Sequence, residues 1–270
     1  MVEASEHTGE IDDLPIFWRS APWTGTPTLY LHGVPTSSDD WIEFLTRGGG
    51  LAPDLPGFGR SGKRGDFDYS IEGYDRFLER FLDHVGEPRV NLVVHDWGAA
   101  GLALAQRLPE RIERVVIVNA VPLLPGYRWH RIARIWRTPA LGELMMGSTT
   151  RWTLRLLSRE ATARSGPLPD EFIDRVLAHF DHGTQRAILR LYRSAPEDRL
   201  AAAGTHLDAC TGPALVVWGD EDPYIPSRFA DAYADALPQA TVEHVAEAGH
   251  WPWLDRPELV GRVVSFVTGS

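Results

Sequence analysis

The chain has 270 residues, 43% of them hydrophobic and 24% charged, with a formal net charge of −10. That length suits one large α/β domain or a domain carrying an insertion. The acidic charge, read as spread along the chain, argues against nucleic-acid or anionic-membrane partners, which call for a basic patch.

The N-terminal stretch is acidic and polar, unlike a signal peptide. The single cysteine, Cys210, has no internal partner, and no apolar run reaches the ~18–20 residues of a membrane span. The expectation is a cytoplasmic monomer or homodimer. Pro15 to Ser20 is expected as an early edge strand. Thr28 to Leu31 is a short apolar strand ending in His32-Gly33-Val34-Pro35, and Leu51 to Leu55 is another, ending in the glycine-rich PGFGRSG. Between Tyr69 and His84, apolar residues at Ile71, Tyr74, Phe77, Leu78, Phe81 and Leu82 have helical spacing. Val90 to Val94 reads as a buried strand that stops at His95-Asp96-Trp97-Gly98, followed by a helix from about Ala99 to Arg107 and a strand at Val115 to Val118. After Val121 the strand pattern breaks, and tryptophan-rich helical stretches run to about residue 197. Strands return at Ala214 to Trp218, ending in Gly-Asp-Glu-Asp (219–222), and at Thr241 to Ala246, ending in Ala248-Gly249-His250. Helices at about Ser227 to Leu237 and Pro257 to Val267 complete the alternation. The reading is a mostly parallel, doubly wound α/β sheet, with core 1–121 and 198–270 and an inserted helical cap at 122–197.

Four polar motifs, at 32–35, 95–98, 219–222 and 249–250, fall at the C-terminal ends of predicted strands, the edge where open parallel sheets bind ligands. A strand, a sharp small-residue turn and a helix form the setting of a nucleophilic serine in G-x-S-x-G, but the residue at this turn is Asp96. A helix cap would also place Asp there, yet a cap leaves the acids at 220–222 and His250 unexplained. The order Asp96, acid, His250 is that of nucleophile, acid and base in α/β-hydrolases.

With HDWG, HGxP, PDLPGFGRSG and GHWPWLDRPE in place, the chain resembles α/β-hydrolases of the branch holding epoxide hydrolases and haloalkane dehalogenases, over residues of about 28–121 and 198–266. The resemblance implies the α/β-hydrolase fold and a cofactor-independent reaction. Asp96 would attack an sp3 carbon, and water activated by His250 would hydrolyse the resulting ester at the Asp96 carbonyl carbon. Backbone N–H groups of Trp97 and Val34 would hold the oxyanion. Asp222 is preferred as the triad acid, with Asp220 as competitor; Asn119-Ala120-Val121-Pro122, where some dehalogenases carry the acid, has no carboxylate.

The leaving group separates the two families. Epoxide hydrolases of this fold use cap tyrosines as acids, and Leu191-Tyr192-Arg193-Ser194 resembles the stretch carrying one of them; Tyr127 is the second candidate. Dehalogenases use the Trp after the nucleophile and a second donor, often Asn in HGN, where this chain has Val34. The resemblance therefore leans to an epoxide hydrolase acting on a small hydrophobic or aromatic epoxide, with haloalkane dehalogenase as the alternative. His32, Trp129 and Trp136 join Val34 and Trp97 as substrate-site candidates. His32 and His95 are expected to give supporting hydrogen bonds, and Trp152 is one of the cap tryptophans that could donate an N–H.

Overall fold

The computed structural model describes residues 3–163 and 166–269. Eight strands form one sheet: β1 (Ser5–Ile11), β2 (Leu14–Ala21), β3 (Thr28–Leu31), β4 (Gly50–Pro53), β5 (Val90–Asp96), β6 (Ile112–Ala120), β7 (Ala214–Gly219) and β8 (Ala240–Val245). Their spatial order is β1-β2-β4-β3-β5-β6-β7-β8, with β2 antiparallel to both its neighbours and β4 through β8 mutually parallel.

The central strands are apolar without alternation because both faces are covered. Along β5, Val90, Leu92 and Val94 enter one core with Phe77, Leu78 and Leu102, while Val93 enters the opposite core with Phe44, Leu259 and Val263. The helices on the first face are α2 (Ile71–Val85), α3 (Gly101–Arg107) and, later in the chain, α10 (Arg228–Ala236); α1 (Ile42–Gly48) and α12 (Glu258–Thr268) cover the second. Helix α2 shows how local sequence sets these bounds. The Ser70 hydroxyl accepts the Gly73 N–H at its start, and Gly86, at φ 76°, closes its end in the left-handed region.

Two expectations need correcting. β2 is an interior strand, because β1 pairs along its whole length. β1 is polar and mostly exposed, so no apolar run announces it. Helix α1 is also absent from the sequence reading, since seven residues carry too little periodicity to show one. The remaining strands and helices fall within a few residues of their expected positions.

Among the described residues between β6 and β7, the regular elements are helices: α4 (Arg131–Arg137), α5 (Leu141–Gly147), α6 (Arg151–Leu157), α7 (Asp170–Ala178), α8 (His182–Ser194) and α9 (Glu197–Ala203), with short 3-10 turns. A short α11 (Pro252–Asp255) follows His250. This is an α/β-hydrolase architecture with a helical insertion over the strand ends. Among the described residues, no helix is long and apolar enough to cross a membrane.

Candidate active site

β5 ends at Asp96, whose φ of 48° and ψ of −120° are rare for a residue with a side chain. Pairing with β6 slips between His95 and Asp96. The turn is possible because two neighbours lack side chains. A Cβ on Gly98 would lie 2.3 Å from the Leu31 carbonyl oxygen, and one on Gly33 would lie 2.4 Å from the Asp96 side chain. Asp96 precedes a 3-10 turn (Trp97–Ala100), but its side chain makes no capping hydrogen bond there. Its Oδ2 instead accepts the Val34 N–H at 2.7 Å, and the Trp97 backbone N–H also favours the carboxylate. Burial still dominates and holds this carboxyl above the ordinary carboxylate range, against the pull of His250 and both N–H donors.

His250 follows β8 and is buried, with Nε2 4.0 Å from Asp96 Oδ1 and Nδ1 2.8 Å from Asp222 Oδ2. When Nδ1–H donates to Asp222, the Nε2 lone pair faces Asp96. Burial alone would lower the imidazole, but Asp222, and then Asp96, outweigh it and raise His250 above its ordinary value. Asp222 is pinned on both oxygens. Oδ1 accepts the Tyr224 and Ile225 N–H groups at 2.8 and 3.0 Å, and Oδ2 also accepts the Asn119 side-chain amide at 2.8 Å. Asp220, the competing acid, sits 2.8 Å from His244 on the surface and does not approach His250.

The sequence reading missed three parts of this arrangement. Asn119, at φ 40°, links Asp222 to β7 by also accepting the Gly219 N–H at 2.9 Å. It lies at the same sheet edge as the four motifs, which was the available signal. The His250 N–H donates to Ala161 of the helical insertion at 2.9 Å, a contact that sequence spacing cannot show. Asp40 is pushed up to about 7, chiefly by burial, and adds to the field that raises His250.

His95 donates Nε2–H to the His250 carbonyl at 2.8 Å, the supporting role expected of it. His32 also makes the supporting hydrogen bonds expected of it, but it is not in the cavity wall, where a substrate-site candidate would lie. It is fully buried, one nitrogen faces the Gly33 carbonyl at 2.8 Å, and the other accepts the Leu55 N–H at 2.9 Å. It therefore joins the HGVP loop to the glycine-rich turn without reaching the cavity.

A cavity of about 110 Å³ lies between the sheet edge and the inserted helices, with Asp96 and His250 in its wall. Val34, Tyr127, Trp129, Trp136 and Tyr192 line it. The Trp129 indole donates to the Ala195 carbonyl at 2.9 Å, and Trp136 packs edge-on to Tyr192. The Tyr127 hydroxyl is aimed at the Tyr224 carbonyl at 3.4 Å. Trp97 is not in the wall; it stacks behind Trp129 and meets the edge of Tyr192. Its indole N–H is buried without a well-formed hydrogen bond. It is close enough to the Tyr192 hydroxyl to favour the phenolate, although burial and then Asp96 hold that phenol well above its ordinary value. Trp152 is on the outer surface of α6, away from the site.

A buried carboxylate, a histidine with a pinned acid, two N–H donors and an aromatic cavity together permit attack on carbon followed by ester hydrolysis. Residues 26–257 match the alpha/beta hydrolase fold family. The chain is similar to the haloalkane dehalogenases of Mycolicibacterium paratuberculosis (30% identical, spanning 91% of this chain and 84% of the relative) and Mesorhizobium japonicum (29%, 94% and 87%). It also superposes on the crystal structure of haloalkane dehalogenase DbeA from Bradyrhizobium elkani, with a TM-score of 0.85 at 27% identity over 99% of this chain and 98% of that one. These relatives are dehalogenases, which corrects the lean toward epoxide hydrolases drawn from HGxP and Tyr192. The chain belongs to the alpha/beta hydrolase fold family, in its haloalkane dehalogenase branch.

Proposed function

We propose that this protein hydrolyses a halogenated alkane through an ester of Asp96, with residues 122–197 acting as the cap over a small hydrophobic substrate. The reading is carried by the different surroundings of the two Asp96 oxygens: Oδ2 is held by the Val34 N–H, and Oδ1 faces His250. Oδ1 is then the attacking atom. It forms a bond to the sp3 carbon as the carbon–halogen bond breaks and the halide leaves with the electron pair. Oδ2 becomes the ester carbonyl oxygen, already seated between the N–H groups that stabilise the oxyanion when water adds at Cγ. His250 takes a proton of that water and Asp222 stabilises the imidazolium. The Cγ–Oδ1 bond then breaks as the imidazolium returns the proton to the departing alkoxide. The alcohol carries off Oδ1, the water oxygen stays in the Asp96 carboxylate, and the second water proton goes to solvent. With Val34 where a carboxamide could stand, the Tyr192 hydroxyl backed by the Trp97 N–H serves as the halide's donor. No cofactor enters these steps.

A second reading, an epoxide hydrolase, is favoured by one observation. Tyr192 is in the cavity wall, and its phenol can give a proton to an alkoxide as well as a hydrogen bond to a halide. A bromoalkane and styrene oxide assayed side by side separate the two. Bromide release without diol is expected; diol without bromide would replace the first reading with the second.

The two steps should also differ in pH dependence. Alkylation needs ionised Asp96, which burial holds above the ordinary carboxylate range, so kcat/KM should fall with acid at a pH above that range. Hydrolysis needs neutral His250, raised partly by the Asp96 charge. Esterification removes that charge, so the acid limb of single-turnover deacylation should lie below the value at which His250 titrates in the free enzyme. NMR titration of His250 beside stopped-flow deacylation checks this; coincident values would show that Asp96 exerts no field on His250.

A further inference from the structure

Among the described residues, four large hydrophobic side chains are exposed: Leu141 (47%), Leu144 (70%), Trp152 (71%) and Leu156 (47%). All four lie on the consecutive short helices α5 and α6. Trp152, Arg155 and Leu156 of α6 and Arg159 of the 3-10 turn that follows it frame a shallow depression on the outer surface. Leu154 and Leu157 of the same helix line the active-site cavity, as do Met145 and Met146 of α5. Helix α6 thus has apolar side chains on both sides, the pattern of a buried helix, although Trp152 and Leu156 on its outer side are exposed.

Charge is segregated as well, contrary to the even spread expected from sequence. Twelve of the 27 Lys and Arg, but only seven of the 37 Asp and Glu, fall within 122–197. That segment is basic by five charges, while the rest of the chain is acidic by fifteen. Some of this charge is internally paired, since Arg151 and Arg155 meet Asp170 and Asp174 of α7 beside the patch.

We propose that the α5–α6 face docks on an anionic lipid bilayer, with the Trp and Leu side chains entering the interface and the cap arginines meeting anionic headgroups. This runs against the expectation of no membrane partner. Exposed Trp and Leu interleaved with Arg is the composition of an interfacial helix. A second copy of the chain fits less well, because two seven-residue helices offer little of the about 800 Å² per partner that a stable interface buries. A lipophilic substrate dissolved in the bilayer would be one helix away from the cavity. That last consequence rests on the proposed hydrolase; the docking itself does not.

The test is co-sedimentation of the full chain with vesicles of phosphatidylcholine alone or mixed with phosphatidylglycerol, measured without substrate, so that its failure leaves the Asp96 chemistry standing. Binding to the mixed vesicles is expected, roughly tenfold or more weaker on phosphatidylcholine alone and reduced by salt. The double variant Trp152→Ser/Leu156→Ser should lose it while keeping its melting temperature. Leu144→Ser on the other helix gives an independent check if the double variant is unstable. No binding to the mixed vesicles, or equal binding by the variants, overturns the proposal. So does a wild-type oligomer that the variants lack in the absence of vesicle binding, since the patch would then be a self-association surface.

Discussion

His250→Gln is expected to stop the reaction half-way. In the proposed mechanism the Asp96 carboxylate itself attacks and needs no base, so the carbon–halogen bond should still break. Hydrolysis needs a proton acceptor at the Nε2 position facing Asp96 Oδ1, and a glutamine amide is not one. Incubation with excess bromoalkane should release about one bromide per protein, as a single-turnover burst implies, and then stop. Intact mass should rise by the mass of the alkyl group, and peptide mapping should place it on Asp96. Continued turnover would mean that another group activates water. An unmodified mass with no bromide released would remove the covalent mechanism.

Asp96→Asn should have the largest effect on rate and an opposite effect on stability. Losing the nucleophile of a covalent mechanism costs on the order of 10⁴–10⁶ in kcat, and residual activity must be checked against deamidation of the new asparagine. Asn can still accept the Val34 N–H and tolerates the positive φ at position 96 better than most residues. The carboxyl is raised above its unfolded value by burial. Its protonated form is therefore favoured by folding, and its contribution to stability is lost as pH rises through the folded value. At neutral pH the wild type carries that cost and the variant does not. A gain of about 1 kcal/mol is expected, seen as a higher Tm at pH 7 and a smaller difference at low pH. A variant no more stable than wild type at pH 7 would mean that the N–H donors and His250 fully offset the burial of the charge.

Much of this molecule could be read from its sequence because the central strands are buried on both faces and the reactive residues end them. Val90 to Val94 is an unbroken apolar run for that reason, and Asp96, Asp222 and His250 share one edge because parallel strands do. What was missed is of other kinds. β1 is exposed, and α1 is too short to show a period. Asn119 carries no carboxylate, and its amide gives no sign in the sequence of the contact it makes with Asp222. The supporting role of His32 was legible, but not that both ring nitrogens have backbone partners and keep it out of the cavity wall. The leaning between epoxide and halide was drawn from motif residues, whereas the cavity depends on Trp97 lying behind Tyr192, a matter of side-chain layering that spacing does not encode.

The Asn119–Asp222 hydrogen bond has a consequence for how such enzymes diverge. The two side chains close adjacent strands and share one oxygen, Oδ2, with His250. In the proposed mechanism, the negative charge that orients His250 therefore has two seats within one hydrogen bond of each other, and this chain occupies the later one. Exchanging amide and carboxylate between them moves the acid by a whole strand in the chain order, yet in space it changes only which of two touching groups carries the charge. A rearrangement that looks drastic in an alignment is thus, for the histidine, a displacement of a few ångströms.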